Sequence, residues 1–292
     1  MRGVGSAGGA VTIVNSLSTG VGCALGIERS VVAEVELESA PSGGVSRWEI
    51  EPQSDSPLAR AALAAGLERF SNGSGFTGSL KVRSDIPVAK GLKSSSAVSV
   101  AILRAVADAL GRRVTETEVS RLSADASTAA GVSATGAFDD ALACAGGGLV
   151  LTDNDRRHAM RRVDWAHSLR AVVWVPEPVH PPFAGYRERF AAFRSEGDLA
   201  VSAARSGDYS TAMGLNGALV ERVMGYDYSS LRGRLLDAGA VTTGVTGMGP
   251  ALVALASERL AERVRSVMPE AGTRWVADLR PLSPESQPEE GG

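Results

Sequence analysis

Lysine occurs only three times in this 292-residue chain, at Lys81, Lys90 and Lys93, and the rest of its 30 Lys and Arg residues are arginine. The stretch around them runs Pro87-Val-Ala-Lys90-Gly91-Leu92-Lys93-Ser94-Ser95-Ser96-Ala97 and leads into an apolar-periodic segment. A Gly/Ser loop that opens a helix is an anion site, because the first N–H groups lack partners and the positive end of the helix dipole faces the ligand. Gly91 lets backbone approach a phosphate closely. The serine hydroxyls can donate to phosphate oxygens or bind Mg²⁺. Lysine adds a mobile point charge suited to phosphate. The spacing is not that of a Walker A loop, GxxxxGK[ST]. A solvated turn ending in a serine N-cap is the competing reading, but three consecutive serines exceed what a cap needs.

A second stretch, Thr135-Gly-Ala-Phe-Asp139-Asp140-Ala-Leu, sets two acids in an apolar Gly/Ala context. Carboxylates are expensive to bury, and phosphoryl transfer needs a group to orient an acceptor hydroxyl and take its proton. A helix N-terminus would favour one such acid through the dipole, which leaves the second unexplained. A third stretch, Gly244-Val-Thr-Gly247-Met-Gly249-Pro250, is a glycine loop that gains meaning only beside the other two.

The elements that must position these residues are mixed. Val11–Asn15 reads as a short strand, followed by a Gly/Ser/Thr-rich loop through Gly26. Ala33, Val35 and Leu37 alternate with three glutamates, the period of a half-buried strand. Gly43-Gly44 marks a turn from which Val45–Ile50 returns antiparallel. Helices are expected at Pro57–Phe70 and Ser94–Leu110, and from the capping box Thr115-x-x-Glu118 to Ala130. Leu80 and Val82 mark a strand between the first two of these, and Gly146–Thr152 another at the end. The polar run Asp153–Arg162 places a boundary near residue 165. Beyond it come a strand at Ala171–Val175, a stiff proline loop at Pro176–Pro182, and helices at Phe183–Arg205, Asp208–Met224 and Ser229–Ala238. A strand at Ala251–Ala256, a helix at Glu258–Met268 and a strand at Thr273–Ala277 close the domain. The Pro/Ser/Glu/Gly-rich tail 281–292 is expected to be disordered. Strands and helices without strict βαβ alternation predict an α+β fold of two sandwiches, residues 1–165 and 166–280.

Composition excludes several classes. A net charge of −3 gives no basic field for nucleic acid. No apolar run reaches the roughly 18 residues of a membrane span, and the N-terminus lacks the order of a secretory signal. Cys23 and Cys144 have no CxxC partners and the three histidines no metal spacing, so a reducing, cytoplasmic setting is expected.

Together the three stretches resemble the GHMP kinase superfamily, whose central motif is Pro-x-x-x-Gly-Leu-x-Ser-Ser-Ala. Pro87 to Ala97 matches it, with Lys93 standing where most members have Gly and Ser96 where most have Ala. Those departures, with Val-Thr-Ile-Val-Asn15-Ser16-Leu-Ser-Thr19, Thr-Gly-Ala-Phe-Asp-Asp140, Leu-Asn-Gly217 and Gly-Tyr-Asp227, resemble the archaeal-type shikimate kinase branch over roughly residues 9 to 280. The resemblance implies an N-terminal domain like ribosomal protein S5 domain 2 and a ferredoxin-like C-terminal domain. ATP and Mg²⁺ would lie along the central loop, with shikimate in the interdomain cleft. Another small-alcohol kinase, such as homoserine kinase, is the alternative.

By motif position, Asp139 takes the catalytic carboxylate slot, with Lys93 as the cation that supports turnover. Pro87, Lys90 and the Gly91–Ser96 loop, with Gly247 and Gly249, would hold ATP. Ser95 would contact Mg²⁺, with Asp125 as the candidate second metal ligand. Asn15, Ser16, Thr19 and Asp140 would face the acceptor, and an arginine should meet its carboxylate. Many relatives carry a lysine in the first motif, but none occurs near Ala10 and Val11, which leaves Lys90 and Lys93 to meet the phosphates.

Overall fold

The computed structural model describes residues 1–40, 48–133, 135–165, 168–177 and 185–284. The chain opens with a long hairpin, β1 (Arg2–Val14) and β2 (Val21–Ser39), followed by β3 (Trp48–Ile50), α1 (Pro57–Phe70) and β4 (Phe76–Ser84). Then come α2 (Ser94–Ala109), α3 (Glu116–Ala129), α4 (Phe138–Gly146), β5 (Leu149–Asp153) and β6 (His158–Val163). The second half holds β7 (Leu169–Val175), α5 (Tyr186–Ala192), α6 (Arg194–Ser206), α7 (Tyr209–Met224) and α8 (Ser229–Asp237). β8 (Ala240–Val245), β9 (Leu252–Ser257), α9 (Glu258–Val267) and β10 (Thr273–Asp278) complete it.

The first sheet has the order β3-β4-β2-β5-β6, with β1 along the other edge of β2. The length of β2 allows this, since Val21–Leu25 pairs with β5 and Val31–Ser39 with β4. The second sheet, β10-β7-β9-β8, is antiparallel throughout. The α+β architecture expected from the sequence is the one found.

Local chemistry explains where several elements start. Ser56 accepts the N–H of Ala59 ahead of Pro57 in the first turn of α1, and Thr115 accepts the N–H of Glu118 at 3.2 Å to open α3. α2 is buried along nearly all of its length because β1 offers glycines beneath it. A Cβ at Gly3 or Gly5 would lie 2.2 Å from a carbonyl oxygen of that helix, so only glycine admits such close packing. The second half of α2 is thereby held firmly against the sheet.

The structure corrects several expectations. Residues 21–26 are strand rather than loop, because they pair with both β1 and β5. β3 runs parallel to β4 instead of returning antiparallel, and residues 41–47 of that turn lie outside the described residues. The expected single helix from Phe183 is two, broken at Phe193, and most of the proline loop also lies outside the described residues. Gly244 belongs to β8, a strand the sequence reading took for loop. The polar run after Asp153 becomes β6, which pairs with β5. The tail does not detach at Pro281: Leu282 is buried and the N–H of Ser283 donates to the carbonyl of Gly146 at 2.8 Å. Residues 285–292 lie outside the described residues. Among the described residues no helix is long and apolar enough to cross a membrane.

Candidate active site

α2 and α4 begin in the same unusual way. Their N-cap residues, Lys93 and Ala137, sit in the left-handed region at φ 64° and 53°, and neither helix has a side-chain cap. Both starts open into one cleft of about 210 Å³. Uncapped first-turn N–H groups beside a cleft are free to bind an anion, and α2 is the helix that offers them, because at α4 the N–H of Asp139 is taken by Asn154 Oδ1. The first serine is thus not a cap. Ser94 and Ser96 are buried, whereas Ser95 is exposed on the cleft wall.

Two loops and the end of β1 are tied together at the mouth of α2. Thr246 Oγ1 donates to the carbonyl of Gly91 at 2.7 Å and accepts the N–H of Thr12 at 3.0 Å. Thr12 Oγ1 in return accepts the N–H of Gly247 at 2.8 Å. A Cβ at Gly91 would fall 2.1 Å from the carbonyl oxygen of Thr246, so the central loop and the glycine loop can meet only at a glycine. Behind the glycine loop, Tyr226 donates to the carbonyl of Met248 at 2.8 Å and stacks on Tyr228, with ring centroids 5.3 Å apart. The ring of Tyr226 packs against Gly249, which is why Gly249 supports the loop without lining the cleft.

The acid pair lies opposite this cradle. Lys93 Nζ is 3.0 Å from Asp140 Oδ1, and both side chains are largely buried. The central loop thus brings a lysine to the acids although the first motif carries none. Asp139 is 3% exposed. Its Oδ1 accepts from Asn154 Nδ2 at 2.7 Å, and its N–H donates to Asn154 Oδ1 at 3.1 Å. Burial, and next the charge of Asp140, push the Asp139 carboxyl up to about 7, against the opposing pull of Lys93 and of the Asn154 hydrogen bond. Cys23 and Cys144 are free and buried, and burial drives both thiols upward, which makes them inert packing.

Of the residues singled out in the sequence, Gly91, Leu92, Lys93 and the three serines line the cleft, as do Gly247, Asn15, Ser16, Asp139 and Asp140. Asn15 is committed to protein. Its Nδ2 donates to the carbonyl of Gly247 at 3.0 Å, its Oδ1 accepts the N–H of Leu17, and its own N–H donates to Asn216. Thr19 turns away from the cleft, hydrogen-bonds Val21 and packs against Gly197. Asp125 is also outside the lining, because α3 meets the cleft through Ser127 while Asp125 points outward, exposed and paired with Arg157. Pro87 and Lys90 stand outside the lining, and Lys81 pairs with Glu51 at the sheet surface. No arginine is found among the described lining residues, where the positive charge is that of Lys93. Among the described residues no group of three acids, histidines or cysteines could hold a metal alone.

Thr12, Thr246 and Tyr226 lie inside the quoted motifs, but the sequence assigns them no role. Gly22, Asn154 and Tyr228 lie outside them, and Asn154 falls in the polar run that the sequence reads as a domain boundary.

The GHMP kinases N terminal domain family matches residues 57–148. The shikimate kinase of Thermococcus kodakarensis is 37% identical over 254 residues, covering 87% of this chain and 92% of that protein. That of Pyrococcus furiosus is 34% identical over 280 residues, covering 96% and 100%. The chain belongs to the GHMP kinase superfamily, in its archaeal-type shikimate kinase branch. The crystal structure of homoserine kinase from Cytophaga hutchinsonii superimposes with a TM-score of 0.71 over 97% of this chain and 96% of that one. At 18% identity that likeness shows the shared fold and nothing about the acceptor.

Proposed function

We propose that this kinase transfers the γ-phosphoryl group of ATP to the 3-hydroxyl of shikimate, giving shikimate 3-phosphate and ADP. The observation that carries the transfer chemistry is a buried carboxylate, Asp139, facing an uncapped helix N-terminus across one small cleft. The acceptor is argued from the named relatives, which match nearly end to end.

The first-turn N–H groups of α2 and the Lys93 ammonium would receive the phosphate oxygens. The 3-hydroxyl oxygen then bonds to the γ-phosphorus as the bond to the β,γ-bridging oxygen breaks. ADP leaves with that electron pair, and the hydroxyl proton passes to Asp139. Ser16, whose hydroxyl lies 3.4 Å from that of Thr135, and Asp140 border the space where the acceptor would sit. Asn15 would shape this space by fixing the loop rather than by contact. A carboxylate that must accept a proton near neutrality is well served by a raised pKa, since driving force and correct protonation state then balance.

Mg²⁺ would take Ser95 as its protein ligand and complete its shell with phosphate oxygens and water, the usual arrangement for this ion. Ser95 fits that arrangement, since it is exposed on the cleft wall beside the first turn of α2. When bound, the ion would supply charge neutralisation on the phosphates. We read residues 1–165 as the ATP-binding domain and 166–280 as its C-terminal partner, with the cleft between them. Two free, buried thiols suit a reducing cytoplasm.

ADP release measured across shikimate, homoserine, mevalonate and galactose tests the reading. Turnover is expected with shikimate alone. Activity with homoserine and none with shikimate would overturn the acceptor.

A further inference from the structure

We infer that Asn154 is the positioning residue that fixes Asp139 for proton transfer. The inference rests on the assignment of Asp139 as the proton acceptor. Asn154 follows directly after β5 and is 1% exposed. Its Oδ1 receives two donors, the hydroxyl of Thr152 at 2.7 Å and the N–H of Asp139 at 3.1 Å. With the oxygen so occupied, Nδ2 must face the carboxylate, and it donates to Asp139 Oδ1 at 2.7 Å. One side chain therefore grips both the backbone and the carboxylate of Asp139. On the other side the backbone of Gly22 closes in, where a Cβ would lie 2.3 Å from Oδ2. Asp139 is left a single orientation, with Oδ1 spent on Asn154.

The charged and titratable groups that face it are Asp140 and Cys144 on α4, Lys93 from the central loop and Cys23 on β2. Lys93 is engaged with Asp140, so the side-chain hydrogen bond that orients Asp139 comes from Asn154. That bond also favours the ionised carboxylate, so its loss moves the carboxyl upward in pH.

The test compares Asp139→Asn, Asn154→Ala and Thr152→Val with the wild type in shikimate-dependent ADP release from pH 5.5 to 9, alongside thermal unfolding. Asn154→Ala is expected to lower kcat on the order of 100-fold, the cost of a displaced catalytic group. The KM for ATP should stay within about threefold, since the α2 cradle is untouched. The acid limb of the pH profile should move upward, with part of the lost rate recovered at high pH. Thr152→Val removes, at constant volume, the hydroxyl that donates to Asn154 Oδ1 at 2.7 Å and lies 3.5 Å from the carbonyl of Gly22, and should lower kcat about tenfold in the same manner. It decides the matter if Asn154→Ala does not fold. The inference is overturned if Asp139→Asn is inactive while both other variants keep kcat within about threefold, or lose it with no movement of the acid limb. Full turnover by Asp139→Asn would instead remove the proton-acceptor assignment itself, and this inference with it.

Discussion

Replacing Asp139 by asparagine should separate what this carboxyl does for the reaction from what it costs the fold. The folded group titrates near 7 in place of the ordinary 3.8. In the unfolded chain it ionises above about pH 4. Between those values the folded chain holds the extra proton, so stability falls as pH rises through the window, and the whole penalty is present above pH 7. Each pKa unit corresponds to about 1.4 kcal/mol, so the buried ion opposes folding by about 4 kcal/mol at pH 8. At pH 5 the same arithmetic leaves roughly a third of that. Asparagine is nearly isosteric and its carbonyl oxygen can keep the hydrogen bond from Asn154. For a chain of this length, about 0.6 kcal/mol per degree of unfolding entropy turns the gain into a Tm rise of roughly 7 °C at pH 8. Thermal unfolding at pH 8 and pH 5, with steady-state ADP release at pH 8, reads both sides. Turnover should fall by about 10²–10⁴-fold, the worth of a positioned base. A Tm change that is negative, or the same at both pH values, would refute the buried-ion penalty. Turnover surviving within a few-fold would refute the role of Asp139 in proton transfer.

Other outcomes follow from the same geometry. Gly22→Ala puts a methyl against Asp139 Oδ2 and should lower kcat on the order of 100-fold with ATP binding retained; unchanged turnover would show that the carboxylate does not rest there. Lys93→Ala strands Asp140 in a largely buried site and should cost about 3 kcal/mol of stability together with most of the turnover. Lys81→Ala, which breaks a partly exposed pair with Glu51, should cost under about 1 kcal/mol and leave turnover alone. Equal effects from the two lysine variants in parallel denaturation and kinetic assays would mean that burial does not distinguish them. Tyr226→Phe removes the hydrogen bond that holds the glycine loop, about 1 kcal/mol, and should raise the KM for ATP several-fold; identical kinetics would release the tyrosines from that task.

Much of the fold was legible because its signals are local. Ser56 followed by Pro57, and Thr115 followed by Glu118, mark helix starts that need nothing beyond four residues of chain. The Gly91–Ser96 loop and the Asp139-Asp140 pair stood out for the same reason. What escaped depended on partners distant in sequence. The first residues of β2 look like loop from composition, and only β1 and β5 make them a strand. β8 was hidden by its glycine, which is there because Gly217 of α7 packs against it. Thr19 and Asp125 had the right chemistry, and only folded geometry shows them turned to α6 and to Arg157.

The sequence by itself determined the phosphate cradle, the acid pair and the membership of the chain in its family, since these rest on residue types at fixed short spacing. Tertiary structure decided which acid is poised and which is engaged. Lys93 reaches Asp140, while Asn154, just past the end of β5, and Gly22, on the neighbouring strand β2, close on the two oxygens of Asp139. Two adjacent aspartates are alike as letters. Burial, one lysine and one asparagine make them different groups, because the free energy of a charge is set by what surrounds it.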